Sequence, residues 1–124
     1  MPQILIVSED TQFISTSSAL RDEAFIVKFE ADFETAFREL LTSIFDAVII
    51  DLVKAKEGIT FIKRIRDTPQ FTELPILVAA EWGSGYGTLA LSSGADAYEP
   101  MPCNVADLLA SVTRLLIKER AVAK

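Results

Sequence analysis

Residues 45–51 read Phe45-Asp46-Ala47-Val48-Ile49-Ile50-Asp51: four apolar residues, Ala47–Ile50, run without a polar break straight into a carboxylate. A strand with one wet face alternates, whereas an unbroken, largely β-branched run suits a parallel strand covered by helices on both faces. Runs of the same kind flank it at a distance. Gln3–Val7 (QILIV) ends abruptly in Ser8-Glu9-Asp10-Thr11, and Leu74-Pro75 opens ILVAA at residues 76–80. Phe25–Phe29 (FIVKF) partly alternates, as an edge strand does, and Ala97–Glu99 is a brief fifth strand.

Helical spacing fills the gaps between these runs. Asp10 or Thr11 can cap a first helix that buries Phe13 and Leu20. Phe33, Ala36, Phe37, Leu40 and Leu41 mark a second amphipathic helix. After a loop at Leu52–Gly58, Ile59, Ile62 and Ile65 mark a third helix that must finish before Pro69. Glu81–Gly87 (EWGSGYG) is a glycine-rich loop before a short helix that stops at Gly94. Asn104 and Asp107 have the spacing of a capping box ahead of a stripe of Val105, Leu108, Leu109, Val112, Leu115 and Leu116. This last helix is expected to end near residues 118–120, in the polar tail KERAVAK. Strict alternation of five strands with five helices predicts a single α/β domain over residues 1–124. The expected architecture is a doubly wound (βα)5 parallel sheet with the flavodoxin-like strand order 2-1-3-4-5.

Composition narrows the chemistry. The 124 residues are half apolar, enough to bury a core, and 12 Lys and Arg against 18 Asp and Glu leave a net charge of −6. Such a balance repels a phosphate backbone, so no direct nucleic-acid binding is expected. With no histidine and a lone Cys103 there is no histidine base, no Cys/His zinc cluster and no internal disulfide. No stretch has the length of a membrane span or the pattern of a signal peptide, which sets cytoplasmic location as the expectation.

In a sheet of this type ligands bind beyond the carboxyl ends of the strands. The residues delivered there are Ser8-Glu9-Asp10, Asp51, Ala80 and Met101-Pro102. Converging carboxylates can hold a hard cation such as Mg²⁺, or one can act as nucleophile toward a phosphoryl donor. The alternative is that loop-end acids of an acidic protein simply face water.

Five pieces, ILIVSED at residues 4–10, FDAVIIDL at 45–52, Gly58, LPILVAA at 74–80 and GADAYEPMP at 94–102, lie in an order and spacing that resembles the receiver domain of two-component response regulators. The resemblance spans essentially the whole chain. It implies that Asp51 is the position that accepts a phosphoryl group from a histidine kinase. It also implies a Mg²⁺ site built from Glu9, Asp51 and the backbone carbonyl of Val53, with Asp10 as a substitute ligand. Tyr98 falls on the aromatic position that changes rotamer with activation, and Pro102 on the proline that typically follows a cis peptide bond. Four positions depart from the pattern, Glu9 by being one methylene longer than the usual aspartate. Ser8 replaces one carboxylate of the acidic pair, Ala80 replaces the hydroxyl residue and Met101 replaces the lysine. The loop from Asp51 to Gly58 is also one residue shorter than usual.

Met supplies no charge to a developing phosphoryl anion, Ala80 supplies no hydroxyl, and Mg²⁺ tolerates a distorted ligand set poorly. These departures predict a signalling module that acts mainly by protein contacts, with impaired or absent phosphorylation at Asp51, weakened Mg²⁺ binding and at most weak self-phosphorylation. Its partner would be a histidine kinase or another signalling protein, met through the face of the fourth helix, fifth strand and fifth helix; a homodimer is left open. Asp51 could also serve structurally by accepting bonds from loop amides. The competing readings are a conventional receiver slowly phosphorylated on Asp51 with Mg²⁺, and a flavodoxin-like flavin or nucleotide protein. Glu9-Asp10 is electrostatically wrong for the phosphate cradle of the latter. Met101 is read as a gap-filler, Ala80 as packing and Cys103 as a small buried hydrophobe. Trp82 and Tyr86 are expected to fold back over the altered pocket rather than to anchor a partner.

Overall fold

A computed structural model describes the backbone of residues 1–123 and the side chains of residues 1–117. Along the chain run β1 (Gln3–Val7), α1 (Thr11–Ser18), β2 (Ile26–Glu30), α2 (Phe33–Thr42), β3 (Ala47–Asp51), α3 (Ala55–Asp67), β4 (Ile76–Glu81), α4 (Tyr86–Ser92), β5 (Ala97–Met101) and α5 (Val105–Ala123). Single-turn 3-10 segments follow α1 and α3, at Ala19–Glu23 and Pro69–Phe71. All strand pairs are parallel and the order is β2-β1-β3-β4-β5, as the alternation predicts.

The unbroken apolar runs are explained by two cores, one on each face of the sheet. Leu5, Val7, Val48, Ile50 and Val78 point to one side, where α2 and α3 bring Phe37, Leu40, Ile62 and Ile65. Ile4, Ile6, Ile49, Leu77 and Ala79 point to the other, against Phe13 of α1 and Leu108, Val112 and Leu115 of α5. Register lines up the carboxyl ends: Val7 stands opposite Ile50, Asp51 opposite Ala79, and Glu81 opposite Met101.

Several boundaries differ from expectation, each for a local reason. Ala24 takes a left-handed conformation (φ 69°) to close the 3-10 turn, so β2 begins at Ile26 rather than Phe25. Phe45 and Asp46 precede β3, where the Asp46 carboxylate accepts from the Gln3 amide at 2.7 Å. Most of the expected loop at Leu52–Gly58 is already helix, because α3 starts at Ala55. Gly58 sits in its first turn, where a Cβ would overlap the Leu52 side chain. Leu41, placed by spacing on the buried face of α2, is 50% exposed; Ala36, Phe37 and Leu40 make up the buried face. The pairing of β5 with β4 extends it through Met101, two residues past Glu99. The final helix runs to Ala123 instead of ending near residues 118–120, in keeping with the strong helix propensity of Lys, Glu, Arg and Ala. Asn104 and Asp107 do form a capping box: Asp107 N donates to Asn104 Oδ1 (2.8 Å) and Asn104 N to Asp107 Oδ2 (3.4 Å). Among the described residues, no helix is long and apolar enough to cross a membrane.

Candidate functional site

Asp51 is the last residue of β3 and half-buried, at the mouth where β1 ends beside it. Ser8, only 5% exposed, donates from Oγ to Asp51 Oδ2 at 2.8 Å and accepts from the Asp10 amide at 3.1 Å. Asp10 in turn is the N-cap of α1, its Oδ2 accepting from Phe13 N at 3.0 Å. That resolves the sequence's choice between Asp10 and Thr11. Glu9 points elsewhere. It pairs with Lys54 Nζ at 3.2 Å across the cleft rim, and with both side chains more than half exposed the pair contributes little to stability.

The space beside Asp51 is an open cleft of about 490 Å³ between the ends of β1, β2 and β3. Ser8, Glu9, Asp10, Asp51 and Val53 line it together with Phe33 and Lys54, neither of which the sequence had marked for the site. Among the described residues, no three His, Cys, Asp or Glu side chains converge as metal ligands would. Glu9 is drawn to Lys54, Asp10 caps a helix, and a hydroxyl donor rather than a second carboxylate faces Asp51. Of the carboxylates expected to hold the cation, Glu9 is engaged by Lys54 and Asp10 by the α1 cap, which leaves Asp51 with the Ser8 hydroxyl.

Burial, which disfavours the charged carboxylate, raises the Asp51 pKa above the ordinary carboxylate value. The Ser8 hydrogen bond opposes that shift and the neighbouring charge of Asp10 adds to it. For an acid whose folded pKa is raised, the native state holds the proton more tightly. The stabilising contribution is therefore complete below the unfolded pKa, near 4, and is lost as pH rises through the folded value. Asp51→Asn keeps a carbonyl acceptor for Ser8 and removes the ionisation. The variant is expected to be more stable than the parent at neutral pH, with a difference that shrinks on acidification toward pH ~4. Thermal unfolding of both proteins across that range checks this; a variant less stable at neutral pH would show that the carboxylate itself holds the loops.

The remaining positions divide cleanly between the two faces of the sheet. Ala80 is buried in the core under α3 and α4, with Tyr98 packed half-buried against the same core. Met101 packs half-buried against the opposite core and also lines a second, smaller cleft with Asp10, Glu81 and Pro102. The Met101–Pro102 peptide is cis. Cys103 is half-buried in apolar contact, and its thiol is pushed up to about 11, by burial first and then by Glu99 and Asp107. At neutral pH it is a neutral, unreactive thiol.

Trp82 and Tyr86 do not fold over the pocket: they are 77% and 47% exposed. Trp82 N donates to Met101 O, and Gly83 and Gly85 at φ 78° and 83° then carry the loop along the β4–β5 side of the sheet. The Asp51 cleft opens on the other side of β3, and none of its lining comes from this loop.

An open five-stranded parallel sheet in the order β2-β1-β3-β4-β5, with a half-buried carboxylate at the end of its central strand, defines a flavodoxin-like domain. No family model matches the chain. It is 34% identical over 119 residues to the transcriptional regulatory protein CpxR of Klebsiella pneumoniae, and 33% identical over 119 residues to the protein of the same name in Escherichia coli. Both matches cover 94% of this chain and 50% of the relative, so the chain spans about half the length of the curated relatives it matches. The chemotaxis response regulator CheY4 of Vibrio cholerae superposes with a TM-score of 0.84 at 26% identity, covering 94% of this chain and 99% of that one. NtrX of Brucella abortus shares the fold at a TM-score of 0.90, with 19% identity over 98% of this chain and 28% of its own. Relatives and structural neighbours alike support a response regulator receiver domain.

Proposed function

We propose that this receiver domain transmits signals through protein contacts, with phosphoryl transfer to Asp51 impaired or absent. The observation that carries the reading is the Ser8–Asp51 hydrogen bond: a hydroxyl donor occupies the place from which a second carboxylate would help hold Mg²⁺. Ala80 and Met101 support it, since neither supplies a hydrogen bond or a charge to phosphoryl oxygens at the ends of β4 and β5. The partner is a histidine kinase or another signalling protein, and the contact face is built from α4, β5 and α5. Trp82 and Tyr86, with Leu89 of α4, stand exposed on that side, and exposed aromatics of this kind serve as anchors.

A conventional receiver is the second reading, and one observation favours it. Asp51 ends the central strand in a cleft open to solvent, where a small phosphoryl donor could reach it. Mg²⁺ binding separates the two. Titration followed on the amide resonances of residues 8–10 and 51–53 is expected to show no saturable shift at millimolar Mg²⁺. Saturation at sub-millimolar Mg²⁺ would restore the conventional reading. A flavin or nucleotide role gains no support, because Glu9 and Asp10 occupy the first strand-to-helix turn where a phosphate would need a cradle.

A further inference from the structure

Gly87, in the first turn of α4, is a glycine without a backbone reason. The glycines with positive φ are Gly83, Gly85 and Gly94, so Gly87 adopts angles open to any residue. Glycine inside a helix is disfavoured by roughly 1 kcal/mol relative to alanine. The reason lies on β5. A Cβ on Gly87 would stand 2.5 Å from each of Cδ1, Cδ2 and Cε1 of Tyr98, nearer than the 3.0 Å below which real Cβ atoms essentially never approach. The ring therefore lies face-on against the bare backbone of α4. On β4, Val78 stands directly opposite Tyr98, and Ala80 of β4 and Ala90 of α4 belong to the same core. With Ala80 in that place, β4 presents no hydroxyl whose bonding could draw the ring or the helix elsewhere.

We propose that Gly87 is the positioning residue for the contact face: it seats the Tyr98 ring under α4 and thereby fixes that helix, with Tyr86 and Leu89 outward, in one placement whatever the state of Asp51. The proposal deepens the reading of a receiver that works by contact and rests on it for its functional meaning. The seat itself is a property of packing. A domain that switched would need two placements of α4 of comparable energy. A ring clamped against a bare backbone supplies one.

The test uses the whole chain and three variants, Gly87→Ala, Tyr98→Leu and the double variant, with amide hydrogen exchange of residues 86–92 as readout. Alanine is the better helix former, so an effect of propensity alone would slow exchange in Gly87→Ala. The seat predicts the opposite: exchange at least about tenfold faster, with displaced Tyr98 ring resonances. In the Tyr98→Leu background the same alanine is expected to cause no acceleration. Unchanged or slower exchange in Gly87→Ala overturns the proposal, as does equal acceleration in both backgrounds. If Gly87→Ala fails to fold, the double variant must fold; its failure also overturns the seat. Incubation with a phosphoryl donor keeps the two claims apart. An adduct on Asp51 that leaves the α4 resonances in place contradicts only the loss of phosphorylation, whereas an adduct that moves them contradicts the seat.

Discussion

Replacing Arg66 with methionine is expected to lower the unfolding free energy by about 3–5 kcal/mol. The guanidinium leaves the last turn of α3 and reaches five acceptors in the segments 71–74 and 94–96, Thr72 O at 3.4 Å the longest of them. Nε donates to Gly94 O (2.8 Å), Nη1 to Phe71 O (3.0 Å) and Leu74 O (2.7 Å), and Nη2 to Asp96 Oδ2 (2.9 Å). The same Asp96 oxygen accepts from Ile76 N at 2.8 Å, so the cluster ties the entries of β4 and β5 to the end of α3. The side chain is only 19% exposed, which leaves little room for water to replace it. Methionine fills the volume but takes the guanidinium donors from four carbonyls and leaves Asp96 Oδ2 only its bond from Ile76 N. Arg66→Lys should recover only part of the loss, because a single ammonium cannot serve acceptors arranged around a planar fork. Urea unfolding with an unchanged m-value checks the figure, and a midpoint shift worth less than about 1 kcal/mol would show that the bonds are replaced by solvent.

The second large effect is a gain. Ser8→Asp combined with Met101→Lys is expected to raise the initial rate of phosphoryl uptake from acetyl phosphate by about 100-fold or more over the parent. Lysine at the end of β5 would supply a cation to the phosphoryl oxygens. Aspartate at residue 8 would replace the hydroxyl that now donates to Asp51 with a second oxygen ligand. Two carboxylates at that separation repel, so the gain should appear only with Mg²⁺ present to neutralise them. Both positions line clefts, although Ser8 is buried and Met101 packs half-buried against one core. Circular dichroism establishes that the variant is folded, and the rate with and without Mg²⁺ is then read by intact mass. A folded variant no faster than the parent would mean that the limiting defect lies elsewhere, with Ala80 next in line.

What the chain disclosed in advance follows from which contacts are local. β1, β3 and β4 were legible because strands covered on both faces leave no polar position, and the strand order followed from alternation and the crossover rules. That Ser8, Asp51, Ala80 and Met101 would lie at one end of the sheet followed too. What the residues do there did not. The Ser8–Asp51 bond joins residues far apart in sequence, and Glu9 is drawn to the cleft rim because Lys54, with nothing in the sequence to mark it, lies across from it. The start of α3 was missed because Lys54 caps it without a side-chain hydrogen bond, leaving no signature. Leu41 was misplaced by helical spacing, and Trp82 and Tyr86 by the inference that large apolar side chains go inside. Folded proteins obey it in one direction only. Gly87 carried no visible signal, since its neighbours Gly83 and Gly85 already accounted for a glycine-rich loop.

The proposed loss of phosphoryl acceptance is tested most directly by the intact mass of the parent protein after incubation with acetyl phosphate and Mg²⁺, with Asp51→Asn treated alongside. Neither protein is expected to gain mass while circular dichroism shows both folded. One phosphoryl group added to the parent and absent from Asp51→Asn would contradict that expectation and make Asp51 a working acceptor.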